Sequence, residues 1–333
     1  MPHRSHIAAF YKEWRSADTT LLLHTSGSTG VPKAIRVEKC AMQRSARRTC
    51  DYLNIHPGDT TLLCLPTDYI AGKMVVVRAL TCGLRLIAVT PSLRPLRYLD
   101  TAPHFAAMTP AQVYETLQDE REAALLRAIR VVLIGGGPLD PAVAAALKDH
   151  RGAYSTYGMT ETVSHIALRH VAQTAYTPLC GVRLALNADG CLVVSDTATG
   201  VDQLQTNDLA QILPDGRFRI LGRADNTICS GALKWQIEDL EQRLSDLPVP
   251  FLITAVRDVR LGQAITLLYE QEAELPTLQT HCRRCLPPLA VPRHYVGVAN
   301  LPLTATGKPD RAAARRLAEA AIQATGEPQP PSR

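Results

Sequence analysis

Short apolar runs recur through the first half of the chain, separated by segments with helical spacing or helix-forming composition. The runs Leu21–His24, Thr61–Leu65, Leu84–Val89, Phe105–Met108, Val131–Ile134 and Ala153–Thr156 read as strands. Residues 39–53, 71–82, 110–118 and 139–149 read as helices, and Asp140-Pro141 gives one of them a cap followed by a proline in its first turn. Strand–helix alternation over residues 19–156 predicts an α/β layer structure with a mostly parallel sheet.

From about residue 163 to 221 the runs shorten. Val182–Leu186, Leu192–Ser195, Leu209–Leu213 and Phe218–Leu221 read as antiparallel strands, with Ala188-Asp-Gly190 and Pro214-Asp-Gly216 as hairpin turns. After Gly222-Arg-Ala-Asp225 the pattern gives a helix (236–245), strands at 251–257 and 264–270, a helix (276–285), a strand (293–298) and a last helix (309–322). This predicts a large N-terminal domain over 1–224, with an antiparallel β subdomain at 163–221, and a small α+β domain over 225–325. The tail 326–333, rich in proline and polar residues, has the composition of a disordered segment.

Composition narrows the function classes. Lys and Arg number 36 against 31 Asp and Glu, a slight excess that suits an anionic small ligand but does not argue for nucleic acid. Basic residues are not interleaved with aromatics, and there are only four Phe and two Trp. The nine cysteines are scattered, and Cys282 and Cys285 form one Cys-x-x-Cys without the second pair of a zinc site. They read as reduced structural thiols, and with no signal-peptide or membrane-span pattern at the N-terminus the expected location is cytoplasmic.

Five separated segments carry chemistry. The first runs from Thr25 to Lys33, where Ser26, Ser28 and Thr29 offer hydroxyl donors, Gly27 and Gly30 let backbone N–H groups approach an anion, and Lys33 adds a point charge. It is not the usual P-loop, because Pro32 precedes the lysine and Ala34 follows it; a Gly/Ser turn between two strands is the alternative. The second, Gly135-Gly-Gly-Pro138, ends a strand and suits either a flat base packed on bare backbone or a plain turn before Asp140. The third, Tyr157-Gly-Met-Thr-Glu-Thr162, also follows a strand, and its Glu161 reads alternatively as an exposed carboxylate in a helix first turn. The fourth joins Asn207-Asp208 to Gly222-Arg-Ala-Asp225, where a strand-end turn and a surface ion pair are the alternatives. The fifth is Leu303-Thr-Ala-Thr-Gly-Lys-Pro-Asp310, whose Lys308 sits just before an expected helix start, an unfavourable place for a cation unless it serves another purpose.

In order and spacing these segments resemble the adenylate-forming superfamily of acyl-CoA synthetases and ligases, over about residues 20–315. Within it they resemble the o-succinylbenzoate–CoA ligases of menaquinone biosynthesis, in a short form. The resemblance implies two steps: a carboxylate attacks the α-phosphate of ATP, then the thiol of CoA displaces AMP. It implies that Thr25, Ser26, Gly27, Ser28, Thr29, Gly30 and Lys33 grip the β- and γ-phosphates and that Gly135, Gly136 and Gly137 lie against adenine. Tyr157, beside Gly158, matches an aromatic that stacks on adenine; Thr160 matches a hydroxyl on the α-phosphate, and Glu161 a magnesium-binding carboxylate. Asp208 matches the acid that bonds both ribose hydroxyls, Arg223 a cation at ribose or phosphate, Asp225 the hinge of a mobile C-terminal domain, and Lys308 the catalytic lysine.

The acid-binding region matches Pro66 to Arg78. Arg78 falls where o-succinylbenzoate ligases carry an arginine and would balance the carboxylate that is not activated; Lys73 is a second candidate, and an arginine snorkelling from a helix end is the alternative. Tyr69 stands where many of these ligases have histidine, and Ser230-Gly231-Ala232 replaces a double-glycine turn facing the CoA tunnel. Most members carry a long segment before the phosphate loop, where this chain has 24 residues; an uncovered sheet edge would then favour a homodimer. The rival functions are a ligase for another acid, an enzyme that loads a carrier-protein thiol, and a catalytically silent nucleotide-binding protein.

Overall fold

The computed structural model of the chain describes residues 2–24, 34–231, 233–270, 274–304 and 307–324. Helix α1 (Pro2–Arg15) precedes an antiparallel ribbon of β1 (Thr20–His24) and β2 (Ala34–Glu38). Leu21 and Leu23 are buried while Leu22 is 45% exposed, so this run is a half-buried ribbon strand, not a buried member of the parallel sheet.

The main sheet follows helix α2 (Lys39–Tyr52). Its elements are β3 (Thr60–Leu63), α3 (Ile70–Cys82), β4 (Arg85–Ala88), β5 (Phe105–Met108), α4 (Pro110–Leu117), α5 (Glu120–Ala128), β6 (Val131–Ile134), α6 (Pro141–Ala146), β7 (Ala153–Gly158), β8 (His165–His170) and β9 (Thr177–Pro178). The strand order is β4-β3-β5-β6-β7-β8-β9, parallel from β4 to β7 and antiparallel beyond. Alternate residues feed opposite cores: Leu62, Val132 and Ile134 meet α4, α5 and α6, whereas Leu63, Phe105 and Leu133 meet α2 and α3. Both faces are covered, which is why these strands read as continuous apolar runs.

Local chemistry sets the helix ends. Thr109 and Gln112 close a capping box ahead of Pro110, and Asp119 and Asp140 accept backbone N–H bonds at the starts of α5 and α6. Gly83 ends α3 in the left-handed conformation, at φ 67°.

Four antiparallel strands follow in simple order: β10 (Val182–Leu186), β11 (Cys191–Asp196), β12 (Val201–Ile212) and β13 (Phe218–Arg223). This sheet begins later than the expected boundary at 163, because β8 and β9 add to the main sheet instead. Its core closes over β8 through Ile166, Leu192, Val194 and Phe218.

The last sheet holds β14 (Thr227–Ser230), β15 (Leu233–Gln236), β16 (Phe251–Asp258), β17 (Gly262–Glu270) and β18 (His294–Val298), with β18 parallel to β17. Helices α7 (Ile237–Arg243) and α8 (Leu275–Cys285) cover one face through Leu240, Leu278 and Cys282. Helix α9 (Arg311–Ala324) covers the other through Ala314 and Ala318. The tail 326–333 lies outside the described residues, and no helix among those described is long and apolar enough to cross a membrane.

Candidate active site

Three loops leave the carboxyl ends of parallel strands of this sheet: 64–69 after β3, 135–137 after β6 and 159–164 after β7. In open α/β sheets this is the edge where ligands bind. A separate concavity of about 430 Å³, lined by Tyr52, Arg130, Arg151 and Tyr154, opens at the opposite end of β6 and β7 and contains none of the expected site residues.

The three glycines differ in their surroundings. A Cβ at Gly135 would collide with Thr156 Oγ1, and Gly136 sits at φ 93°, where L side chains are strained. At Gly137 nothing lies within 4 Å of an added Cβ, so the backbone presents an open face.

The loop after β7 is a tight turn, not the start of a helix. Gly158 lies at a register shift between β7 and β8, where a Cβ would strike Ser164 O and His165 Cα. Thr162 is fully buried and organises the turn: its Oγ1 accepts from Met159 N–H at 3.0 Å and shares its proton between the carbonyls of Met159 (3.0 Å) and Ser164 (2.7 Å). Val163 is held at φ 67°, a strained value for a β-branched residue, while its side chain packs in the core beneath β1 and α3. Thr160 is half-buried and Glu161 exposed, so the turn presents a hydroxyl and a carboxylate at its rim. An exposed carboxylate is the donor type a magnesium ion takes.

Opposite this rim, Asp208 and Arg223 are direct cross-strand partners on β12 and β13. Asp208 Oδ1 accepts from Arg223 Nη1 at 3.2 Å and Oδ2 from the Tyr157 hydroxyl at 2.6 Å. Arg223 grips Asp225 with both arms, Nε to Oδ1 at 2.9 Å and Nη2 to Oδ2 at 2.8 Å. The ion pair raises Arg223; burial pushes the Asp225 carboxyl up, but Arg223 outweighs it and the net shift is downward. The Tyr157 ring stands edge-on to Phe218, centroids 5.3 Å apart, and 5.9 Å from Tyr176, so it is fixed before any base binds.

Lys308 lies in a small hairpin closed by the Leu303–Pro309 bridge, behind Gly307 at φ 76°. Helix α9 starts only at Arg311, with Asp310 accepting from Ala313 N–H at 2.9 Å, so Lys308 precedes the helix by more than the sequence suggests. Its side chain reaches solvent, yet surrounding protein and the charge of Arg223 draw its ammonium below the ordinary lysine range. C-terminal Lys308 and the Asp208–Arg223–Asp225 chain therefore share one electrostatic neighbourhood.

Arg78 does not snorkel. It sits within α3, 2% exposed, its guanidinium carbon 5.7 Å from the Phe105 ring centroid. Nη2 donates to Ser164 Oγ at 3.3 Å, Nε has no partner, and no carboxylate among the described residues pairs with it. Burial pushes it down to about 10. Lys73 lies elsewhere, its Nζ 3.5 Å from Glu13 Oε2 and 4.9 Å from the Phe10 ring centroid; Tyr69, at the head of α3, is 40% exposed. The structure thus separates Lys73 from Arg78.

Ser230 is buried where β14 meets β17, and Gly231 turns at φ 59° with its N–H on Leu261 O at 3.0 Å. The expected phosphate loop, Thr25 to Lys33 with Ser26, Gly27, Ser28, Thr29 and Gly30, lies outside the described residues, as does Ala232. Its two ends, His24 and Ala34, are paired neighbours in the β1–β2 ribbon. Sequence reasoning passed over Thr162, Ser164, His165 and Thr49. The first three follow directly on Tyr157–Glu161, a run of polar residues entering a buried strand; Thr49, whose Oγ1 meets His165 Nε2 at 3.0 Å, carries no such signal.

Known proteins identify the family. Residues 6–204 match the family model described as AMP-binding enzyme. A probable 2-succinylbenzoate–CoA ligase of Mycobacterium tuberculosis is 32% identical over 343 residues, covering 92% of this chain and 86% of that protein. The crystal structure of an acyl-CoA synthetase (AMP-forming)/AMP-acid ligase II-like protein from Dyadobacter fermentans is 32% identical, with TM-score 0.63, covering 94% of this chain and 93% of that one. The o-succinylbenzoate coenzyme A synthetase of Bacillus subtilis, solved with ATP and magnesium ion, shares the fold at 20% identity and TM-score 0.75, covering 87% of this chain and 68% of that one. The chain belongs to the AMP-binding enzymes, the adenylate-forming acid–CoA ligases, and within them is similar to the 2-succinylbenzoate–CoA ligases.

Proposed function

We propose that this chain joins o-succinylbenzoate to CoA at the expense of ATP. The observation that carries the choice of acid is Arg78, a buried guanidinium without a carboxylate partner among the described residues. Burying a charge unpaired is strongly unfavourable. A substrate with two carboxylates supplies the missing anion with one and reacts through the other. Ser164 shares the recognition through its hydroxyl, 3.3 Å from Arg78 Nη2, and exposed Tyr69 at the head of α3 is a further contact for the acid, whereas Lys73 is engaged with Glu13 and Phe10.

In the first step a carboxylate oxygen attacks the α-phosphorus, an O–P bond forms, and the bond to pyrophosphate breaks. Charge builds on the α-phosphate oxygens, and Thr160 and Lys308 stabilise it there. An anion between Lys308 and Arg223 relieves the repulsion that draws the lysine down. Asp208 holds the ribose hydroxyls through the lone pairs that Tyr157 and Arg223 leave free, and Gly135, Gly136 and Gly137 lie against the base. Glu161 would hold magnesium, which would supply positive charge at the departing pyrophosphate.

In the second step the CoA sulfur attacks the acyl carbon, a C–S bond forms and AMP leaves. Residues 225–325 act as a lid turning at Asp225, bringing Ser230 and Gly231 to the thiol path. The enzyme works in the cytoplasm, and a homodimer would cover edge strand β4, whose Arg85, Leu86 and Ala88 are exposed.

Incubation with ATP, magnesium and o-succinylbenzoate, with and without CoA, tests the reading. AMP and thioester that appear together only when CoA is present support it. Pyrophosphate without thioester points to loading of a carrier-protein thiol, thioester only with other acids moves the substrate, and no nucleotide turnover with any acid makes the protein a silent binder.

A further inference from the structure

The C-terminal sheet carries a cluster that the proposed reaction does not use. Asp246, in the loop after α7, meets His281 and Cys285 of α8. Their ligand atoms, a carboxylate oxygen, an imidazole nitrogen and a sulfur, all lie within 4.8 Å of one another. His281 Nε2 is the shared atom, 2.9 Å from Asp246 Oδ1 and 3.5 Å from Cys285 Sγ. The spacing of His281 and Cys285 puts both on one face of the helix. Cys282, the other half of the Cys-x-x-Cys, is fully buried against Leu240 and Leu278. The motif is therefore divided, one thiol for the core and one for this cluster.

We propose that Asp246, His281 and Cys285 bind a divalent transition-metal ion of borderline softness, with zinc as the best match. The donors decide the class: magnesium and calcium take oxygen ligands, whereas a mixed nitrogen, sulfur and oxygen set suits zinc. Distance supports it. Tetrahedral zinc with bonds of about 2.1 Å to nitrogen and about 2.3 Å to sulfur separates those two ligands by roughly 3.5 Å. His281 Nε2 and Cys285 Sγ are already 3.5 Å apart. The nitrogen–oxygen edge of the same tetrahedron is roughly 3.3 Å, so the Asp246 carboxylate backs away by a few tenths of an ångström.

Protons must move for the ion to enter. The Cys285 thiol releases its proton to solvent as the metal–sulfur bond forms, and His281 Nε2, which in the metal-free cluster donates to the Asp246 carboxylate, gives up its proton to solvent while Nδ1 takes one, so that the Nε2 lone pair faces the metal. Arg284 Nη2 now lies 3.2 Å from Nδ1 and 3.6 Å from Asp246 Oδ2. Its side chain is 70% exposed, so it leaves Nδ1 and stays with the outer carboxylate oxygen. Asp246 is 63% exposed and His281 11%, which puts the fourth coordination position on the solvent side. The ion would staple the loop after α7 to the last turn of α8.

The full chain, freed of metal with a chelator, is titrated with cobalt(II), which reports thiolate ligation by its charge-transfer band. One saturable equivalent displaced by zinc is expected. Cys285→Ser and His281→Gln abolish the band, and Asp246→Asn weakens cobalt binding by about tenfold or more. Because the Asp246 carboxylate is exposed, its variant stays folded, and unchanged adenylation by Asp246→Asn verifies that independently. Absence of a saturable band overturns the site, as does a band that survives in Cys285→Ser or an unchanged affinity in Asp246→Asn.

Discussion

The hydroxyl of Tyr157 donates to Asp208 Oδ2 across 2.6 Å, joining the main sheet to the four-stranded sheet through one short bond. Burial, then the charge of Asp208, raises the tyrosine well above its ordinary value, so it remains a donor at any physiological pH. The carboxylate is thereby oriented from one side by Tyr157 and from the other by Arg223. The resemblance implied a role for its ring, and the structure shows its oxygen orienting Asp208.

Tyr157→Phe removes that oxygen and keeps the ring against Phe218 and Tyr176. A hydrogen bond to a charged group contributes about 1.5 kcal/mol or more, so the KM for ATP should rise about tenfold. The KM for the acid should stay put. Initial rates over both concentrations check this, and equal rises for ATP and acid would contradict the proposed ribose role of Asp208.

The strained Val163 is tolerable because Thr162 over-determines the turn around it. Thr162→Val is nearly isosteric but leaves Met159 N–H and the Ser164 carbonyl unsatisfied. It should lower stability by about 1–3 kcal/mol and reduce kcat through misplaced Thr160 and Glu161. Thr162→Ser keeps the hydroxyl and should recover most of both. Urea midpoints and kcat measured on the two variants decide it; a serine variant no better than valine would sink the argument.

The inner parallel strands β3, β5 and β6 were legible because burial on both faces makes them largely apolar, as in Val131–Ile134, which the structure reproduces residue for residue, whereas β8 and β9 of the same sheet were not read as strands. Helix α6 was legible through Asp140 and Pro141. Elements that bury little were not. Strand β2 buries only Val37, α1 carries polar residues on most of its surface, and β14 and β15 are short and half-exposed. Helix α5 was missed although Asp119 caps it, because Leu125 and Leu126 are its only large apolar side chains. At the site, sequence motifs name the residues at the rim and run on into Ser164, but Thr49 owes its place to long-range packing that no local spacing encodes.

Arg78→Met should separate stability from function. Replacing an unpaired buried charge by an apolar side chain of similar length is neutral or stabilising, by about 1–4 kcal/mol in related cases. The same variant should raise the KM for o-succinylbenzoate by about a hundredfold or more, the loss expected for a buried charge-assisted contact. Thermal melting and acid-dependent rates measure the two sides. An unchanged KM removes Arg78 from the acid pocket.

His165 lies between Thr49 and Ser164, with Nδ1 3.3 Å from Ser164 Oγ. Burial, then the charges of Arg78 and Arg48, hold it well below 6.5. The unfolded chain takes up a proton at this histidine near pH 6.5 and the folded chain does not. Its contribution is therefore complete above that pH and falls as pH drops, by about 1.4 kcal/mol per unit until the folded pKa is reached. His165→Asn should flatten the urea-midpoint profile from about pH 6.5 to about pH 5, a window above the ordinary carboxylate range. A slope unchanged in the variant would assign the acid sensitivity to other groups.

Lys308 is the residue whose loss should split the two half-reactions. Gly307 and the Thr304 backbone fix the hairpin that carries it, with Lys308 O accepting from Thr304 N–H at 2.7 Å. Lys308→Ala leaves that backbone intact and removes only the ammonium. If the lysine stabilises charge on the α-phosphate, adenylation should slow by about a hundredfold or more, equivalent to about 3 kcal/mol. Thioester formation from supplied acyl-adenylate needs no such stabilisation and should proceed near the native rate. Pyrophosphate exchange reads the first half-reaction and thioester appearance the second. Equal loss in both would mean that the side chain supports the architecture of the hairpin, not the chemistry at phosphorus.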